Sequence, residues 1–331
     1  MIKVAINGFG RIGRLVLRAG IKDKEIDFVA VNDLGDIATM AHLFKYDSVH
    51  GIYPGRVEVD GKDLVVDGKR IKFLSEKDPI KLPWKQLGVD IVVESTGVFV
   101  KRDDIMVHIR AGAKKVLLSA PAKGDEPVQT IVRGVNDDKC AGNDIISNAS
   151  CTTNSIVPVV MVLEQKFGIE GGFLTTVHSY TNDQKILDLP HKDLRRARAA
   201  AVNIIPTSTG AAKSVSDVFP GLKGKMDGIA MRVPTPDASI SDLTIVLKKK
   251  TTAEEINKEM KKAAETYLKG ILEYSEEELV SSDIIGNPHS AIVDGKLTKV
   301  VNGNIAKVFS WYDNEWGFSM RMIETIKLMG K

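Results

Sequence analysis

Residues 2–13 read Ile2-Lys3-Val4-Ala5-Ile6-Asn7-Gly8-Phe9-Gly10-Arg11-Ile12-Gly13. A short apolar run ends at Gly8, and Ile12, Leu15, Val16 and Ala19 then recur at helical spacing, so the stretch reads strand, tight turn, helix. A second apolar run, Ile26 to Val31, stops at Asn32-Asp33 and completes a βαβ unit of about 30 residues, whose right-handed crossover makes the strands parallel neighbours. Taken alone, a G-x-G-x-x-G string occurs by chance in many chains. Here it follows a strand, opens a helix and has Asp33 at the end of the next strand, the arrangement that binds a dinucleotide. Gly8 permits the turn, Gly10 lets backbone approach a pyrophosphate at the helix N-terminus, and Gly13 lets helix and strand pack closely. Asp33 accepts from the adenosine ribose hydroxyls and repels the extra phosphate of NADP, so the expected cofactor is NAD.

Working outward, short β-branched runs follow at Asp90–Glu94, Lys115–Leu118 and Thr130–Val132, with Ile105–Gly112 as a helical connector. Between Val57 and Phe73 the pattern alternates around Asp60-Gly61 and Asp67-Gly68, which predicts antiparallel hairpins at one side of the sheet. After Cys151 the text changes. Val233–Lys249 and Lys299–Tyr312 read as long alternating strands, and Thr252–Lys269 as an amphipathic helix with Glu254-Glu255 in its first turn. The expected fold is α/β: a Rossmann-type doubly wound parallel sheet plus an α+β catalytic domain with a mainly antiparallel sheet. The expected domains are 1–150 for the dinucleotide, rejoined by a C-terminal helix at 316–331, and 151–315 for the substrate.

The 331 residues suit two domains, and 43% hydrophobic with 27% charged residues excludes a disordered or low-complexity chain. Forty-six basic against 43 acidic residues leave +3, too little to make nucleic acid or an anionic membrane the main partner. No stretch approaches the roughly 20 apolar residues that span a bilayer, so a cytoplasmic protein is expected. Cys140 and Cys151 make neither a disulfide framework nor a CxxC zinc site, and the six histidines form no i, i+4 pair with acidic support, so no metal is expected.

Ser147-Asn148-Ala149-Ser150-Cys151-Thr152-Thr153-Asn154-Ser155 is a cap-rich segment running into the apolar stretch Ile156–Leu163. It sets Cys151 at or near a helix N-terminus, where partial positive charge favours the thiolate. Pro158 leaves the helix start open, since a proline inside a helix kinks it, and a cap at Ser155 starts the helix too late to help Cys151 as much. Cys140 reads as a structural cysteine. His178, in the β-like run Thr175–Asn182, is the partner that raises Cys151 above that reading, because a distant cysteine and histidine can pair as thiolate and imidazolium.

The motifs N-G-F-G-R-I-G-R (Asn7–Arg14), S-N-A-S-C-T-T-N (Ser147–Asn154), H-S-Y-T-N (His178–Asn182) and W-Y-D-N-E-W-G (Trp311–Gly317) together resemble the phosphorylating glyceraldehyde-3-phosphate dehydrogenases. The similarity runs nearly end to end and includes Ser95–Phe99 and Asn203–Lys213. It implies a glycolytic and gluconeogenic oxidoreductase, a homotetramer, that oxidises D-glyceraldehyde 3-phosphate with NAD and inorganic phosphate. In that family pattern Cys151 is the nucleophile that carries a thioester and His178 the base, with the Cys151 N–H and an imidazolium facing the oxyanion. Thr181 and Arg232 are implied for the substrate phosphate, and Ser150, Thr152, Arg196, Thr209 and Gly210 for inorganic phosphate. Among the arginines of 195–198 the sequence does not choose cleanly. Implied cofactor contacts are Arg11 and Ile12 at the pyrophosphate, Lys77 beside the adenine, Ser119 near the nicotinamide ribose and Asn314 to the carboxamide. Lys77 departs from the arginine often found there and lacks its planar stacking face. Leu189-Pro190 resembles the NAD form of its loop.

Erythrose-4-phosphate dehydrogenase stays as a reading of the same class. Aspartate-semialdehyde dehydrogenase also pairs cysteine with histidine, but its substrate lacks the phosphate that Thr181 and Arg232 would bind. A binding protein that contacts RNA or a partner through Lys248-Lys249-Lys250 or the Arg195 region is the reading of a different class.

Overall fold

The computed structural model describes every residue, Met1–Lys331, and the chain divides into two compact units, Met1–Ala149 with Ser319–Lys331, and Ser150–Phe318. In the first, β1 (Ile2–Asn7), α1 (Arg11–Gly20) and β2 (Ile26–Asn32) form the opening βαβ, and β1 and β2 run parallel. Helix α2 (Ile37–Lys45) and a small ribbon of β3 (Tyr46–Asp47) and β4 (Gly51–Ile52) precede the meander β5 (Val57–Asp60), β6 (Asp63–Val66) and β7 (Lys69–Leu74). Helix α3 (Trp84–Leu87), β8 (Ile91–Glu94), α4 (Arg102–Arg110), β9 (Lys115–Leu118), β10 (Gln129–Thr130) and β11 (Ile145–Ser147) complete the alternation.

The nine strands lie in the order β10-β11-β9-β8-β1-β2-β7-β6-β5, parallel from β10 to β7 and antiparallel across β7-β6-β5. Every residue of β8 is buried, as expected of a central parallel strand covered on both faces. From β1 the chain winds outward in both directions, so the carboxyl ends of β1 and β8 flank the topological switch where such sheets bind ligands. The third strand read between Thr130 and Val132 stops at Thr130, because Val132 N–H turns to the Asn136 side chain.

In the second unit, α5 (Cys151–Phe167) leads to β12 (Ile169–Ser179), β13 (Ile205–Ser208), α6 (Ala211–Val218), β14 (Met226–Val233) and β15 (Ser239–Leu247). Then come α7 (Ala253–Glu265), β16 (Leu272–Ser275), α8 (Ser281–Ile284), β17 (Ala291–Asp294), β18 (Lys299–Val301), β19 (Ile305–Tyr312) and α9 (Trp316–Met329), which passes into the first unit at Ser319. The sheet order is β13-β14-β12-β15-β19-β17-β16, with β18 also on β19. It is mainly antiparallel, with parallel pairs at β12/β14 and β16/β17. Alternate residues of β15, from Ser239 to Leu247, are buried, and α5 packs on β12, β15, β17 and β19.

Two expected strands are divided. The run from Val233 breaks at Pro234 and Pro236, which have no N–H for a ladder, and restarts after Ala238 at φ +66°. The run from Lys299 is a hairpin, turned at Asn302 (φ +53°) and Gly303 (φ +74°). Helix α7 ends at Glu265, earlier than expected, and starts with a capping box in which Thr252 and Glu255 bond reciprocally.

Candidate active site

Ala149 adopts φ +58°, a left-handed conformation costing about 1–2 kcal/mol for a residue with a Cβ, and turns the chain into α5. Ser150 is the N-cap, its Oγ accepting from Thr153 N–H at 3.0 Å, and Cys151 is the first helical residue. The start at Ser155 left open by the sequence is therefore excluded. Pro158 lies inside α5 and removes one helical donor, a defect of about 3 kcal/mol in an exposed helix. Here Thr152 to Leu163 are buried without interruption, and tertiary packing holds the helix through the proline.

His178 lies on β12, and the parallel register with β14 sets it opposite Arg232. Its Nε2 is 3.4 Å from Cys151 Sγ. Its Nδ1 lies 2.7 Å from the Ser179 carbonyl, on which Arg232 Nη1 also converges at 2.9 Å. Arg232 Nη1, which only donates, also lies 3.0 Å from Nδ1, but it has the Ser179 carbonyl and Thr181 Oγ1 as acceptors. A bare Nδ1 would set lone pair against lone pair with that carbonyl at 2.7 Å; Nδ1 therefore carries the proton and Nε2 presents a lone pair to the sulfur. Burial, and then the Arg232 cation, hold His178 down at about 3. Burial pushes the Cys151 thiol up, against the opposing pull of Arg232 and Thr152. Both shifts run against the thiolate–imidazolium expectation, because desolvation disfavours the charged form of either group.

Arg232 Nη1 also reaches Thr181 Oγ1 at 3.4 Å, so these two phosphate candidates stand together beside His178. Of the three arginines, only Arg196 acts electrostatically on both His178 and Arg232. It is held by Thr207 Oγ1 at 2.9 Å and by ion pairs with Asp183 and Asp193, whereas Arg198 is exposed and pairs with Asp188. Thr209 and Gly210 stand at the N-terminus of α6, with open space around Gly210. The Thr152 hydroxyl points into the core, 2.8 Å from Tyr312 OH, and Ser150 Oγ is engaged with Thr153. The Asn314 Oδ1 accepts from Ser179 Oγ at 2.8 Å and Ser239 Oγ at 2.7 Å, which aims its Nδ2 away as a donor. Asp313, beside it, caps α9 by accepting from Glu315 and Trp316 N–H.

In the first unit Gly8 has φ +94°, and a Cβ there would lie 2.6 Å from Thr96 N. A Cβ at Gly13 would lie 2.1 Å from the Gly8 carbonyl, so both positions admit only glycine. Gly10 caps α1 with no side chain in the way, so the first-turn N–H groups, at Arg11 and Ile12, face an approaching anion. The Arg11 guanidinium itself pairs with Asp47 at 2.6 Å. Asp33 is fixed by Phe9 N–H at 2.7 Å and Gly35 N–H at 2.9 Å, and each oxygen keeps a lone pair for a hydroxyl. Ser119 follows β9 with its N–H on the Glu94 carbonyl, and Lys77 is exposed after β7. These residues fit a dinucleotide: a side-chain-free turn at a helix N-terminus with a carboxylate at the next strand end.

Sequence reasoning missed Tyr312. Its hydroxyl bridges Thr152 Oγ1 and Thr176 Oγ1 at 2.8 and 2.9 Å, and its ring meets His178 edge-on, so it ties α5 to β12 beneath the Cys151–His178 pair. Its place two residues before Asn314 in a quoted motif was the available signal. Ser179 and Ser239 were missed as well, because a serine that orients an amide leaves no pattern in sequence.

The family model described as "Glyceraldehyde 3-phosphate dehydrogenase, NAD binding domain" matches residues 2–102, and that of the C-terminal domain matches residues 150–314. The chain is similar to glyceraldehyde-3-phosphate dehydrogenase of Thermotoga maritima, 60% identical over the whole of both chains. It is also 59% identical to glyceraldehyde-3-phosphate dehydrogenase 1 of Bacillus subtilis, covering all of this chain and 98% of the relative. The Geobacillus stearothermophilus enzyme is 59% identical over 98% of this chain and 96% of its own.

Proposed function

The chain belongs to the glyceraldehyde-3-phosphate dehydrogenase family, and from that premise we propose how its residues divide the work of an NAD-dependent enzyme that oxidises and phosphorylates glyceraldehyde 3-phosphate. The observation that carries the assignment is the 3.4 Å approach of Cys151 Sγ to a His178 whose Nδ1 is already committed. As the sulfur adds to the aldehyde carbon, His178 Nε2 takes the thiol proton, which then goes to the oxyanion to give a hemithioacetal. NAD, when bound, supplies the two-electron acceptor. His178 holds the proton that the hemithioacetal hydroxyl gives up, and a Cys151 thioester remains. Inorganic phosphate attacks the thioester carbonyl, the C–S bond breaks, His178 returns its proton to the leaving sulfur, and the acyl phosphate departs with the Cys151 thiol restored.

Arg232 and Thr181 hold the phosphate of the substrate, and Arg196, Thr209 and Gly210 offer donors to inorganic phosphate. Ser150 and Thr152 act there through their backbone, since their hydroxyls are engaged inward. Gly8, Gly10, Arg11, Ile12, Gly13 and Asp33 cradle NAD, with Lys77, Ser119 and Asn314 as its further contacts. Residues 1–150 with 316–331 serve the cofactor and 151–315 the substrate. No helix is long and apolar enough to cross a membrane. The family resemblance implies that the enzyme works in the cytoplasm. It assembles as a homotetramer. Ile186, Leu187, Leu189, Leu194, Val202 and Ile204 are each more than half exposed, an apolar loop that a second copy would cover.

NADH formation from NAD and glyceraldehyde 3-phosphate tests the assignment, with phosphate, without it, and with Cys151→Ala. Turnover that needs both phosphate and Cys151 is expected. Turnover without phosphate would mean water resolves the thioester and would remove the inorganic-phosphate assignments.

A further inference from the structure

Asn7 and Glu94 end the two strands at the topological switch and stand opposite each other in register. Glu94 is fully buried, and its carboxylate collects four donors. Oε1 accepts from Thr96 N–H at 2.9 Å and from the Thr96 hydroxyl, and Oε2 accepts from Asn7 Nδ2 at 2.6 Å and His108 Nε2 at 3.0 Å. The direction of each bond is forced. The Trp84 indole can only donate, and it donates to His108 Nδ1 at 3.0 Å, so the His108 proton sits on Nε2 and points at Glu94. Asn32 Nδ2 donates to Asn7 Oδ1 at 2.8 Å, so the amide of Asn7 must face Glu94 with its NH2 end.

We propose that Glu94 is a positioning residue for the dinucleotide, setting through Asn7 and Thr96 the separation of the β1 and β8 ends on which the Gly8 turn is hung. The tolerance there is small. The Gly8 backbone lies so close to β8 that a Cβ would meet Thr96 N at 2.6 Å, and Ser95 Oγ ties the Gly8 carbonyl at 2.7 Å. A core needing only to be filled would be served as well by apolar side chains. A carboxylate that takes donors from both strand ends fixes their spacing, which filling does not. The inference rests on NAD sitting at the Gly8–Gly13 turn.

The test is Glu94→Gln in the full-length enzyme. Either orientation of the new amide turns its NH2 toward donors, because one oxygen position faces Asn7 and His108 and the other faces Thr96. NAD affinity, measured by equilibrium titration, is expected to fall about tenfold, and KM for NAD to rise with it while KM for inorganic phosphate stays put. Alkylation of Cys151 by iodoacetamide without NAD is expected to be unchanged. Thr96→Val, which keeps the backbone donor and its size, gives a milder loss of about threefold and serves if the first variant does not fold. A folded Glu94→Gln or Thr96→Val protein with lower thermal stability but wild-type NAD affinity would overturn the proposal. Gly10→Glu separates the underlying reading: a side chain there meets open space, so the protein folds, and its carboxylate should abolish NAD binding. Retained binding in that variant would overturn the location of NAD itself.

Discussion

Each unit buries one histidine and contains one cysteine, and the two pairs differ in what surrounds them. In the first unit, His108 has an indole donor on one nitrogen and a carboxylate on the other, and Cys140 sits 6% exposed at the end of a short 3-10 turn. In the second, His178 has no carboxylate on its ring: a carbonyl orients it, a cation stands beside it and a thiol faces its lone pair. Burial raises both thiols. Amino-acid type and the direction of the shift are shared, but Cys140 is buried and Cys151 only partly so; what separates them is access and the partner. A histidine pinned at both nitrogens transmits position, and one pinned at a single nitrogen can move a proton.

The cysteine comparison should give the largest effect. Cys151→Ala is expected to lower kcat by at least about 10⁴-fold, read by NADH formation, while equilibrium titration still shows NAD bound. Cys140→Ala should leave turnover intact and cost on the order of 1 kcal/mol in a denaturant melt. If the Cys140 variant lost turnover, the contrast would break.

Next come the histidines. His178→Asn should cost 10²–10⁴-fold, on the order expected of a lost general base, with little change in stability. His108→Asn should do the reverse: Trp84 Nε1 and Glu94 lose a partner in a dry site, and unfolding should be easier by about 2–3 kcal/mol. Arg232→Gln removes a charged donor and should raise KM for glyceraldehyde 3-phosphate about 10- to 100-fold, leaving KM for NAD as it was.

The smallest effect is in pH dependence. The folded value of His178 is pushed down to about 3 from an ordinary 6.5, so the unfolded chain takes up that proton first. The stability from burying a neutral ring is therefore complete above pH 6.5 and is lost as pH falls toward 3. Denaturant melts at stepped pH should show a shallower acid loss for His178→Asn than for the wild type. Equal slopes would mean that the ring is charged when folded.

Much of the cofactor unit was legible because its signals are local. The glycines, the helix spacing and Asp33 lie within one βαβ unit, and their placement follows from backbone geometry over about 30 residues. The second unit was harder to read. Pro234, Pro236 and Ala238 cut an expected strand, and Pro158 pointed to a later helix start than the one observed, because burial of α5 outweighed a local propensity. That Arg196, of the arginines at 195–198, is the one held by both Asp183 and Asp193 depends on those carboxylates folding back onto it. No spacing rule contains that information.

Read alone, the residues pointed to a dinucleotide-type turn and to Cys151 and His178 as the pair to watch, and they carried the resemblance to the family. Glycine conformations and short apolar periods are properties of the chain near each residue. The folded chain alone sets the electrostatics of the pair, since the desolvation that pushes the Cys151 thiol up and His178 down belongs to the space they share. It alone brought Arg232 opposite His178 by strand register, Tyr312 beneath the pair, and Trp84, His108, Glu94 and Asn7 into one directed network. Hydrogen-bond direction is set by which donors meet which acceptors, and residues up to 160 positions apart, such as Thr152 and Tyr312, meet only when the chain is folded.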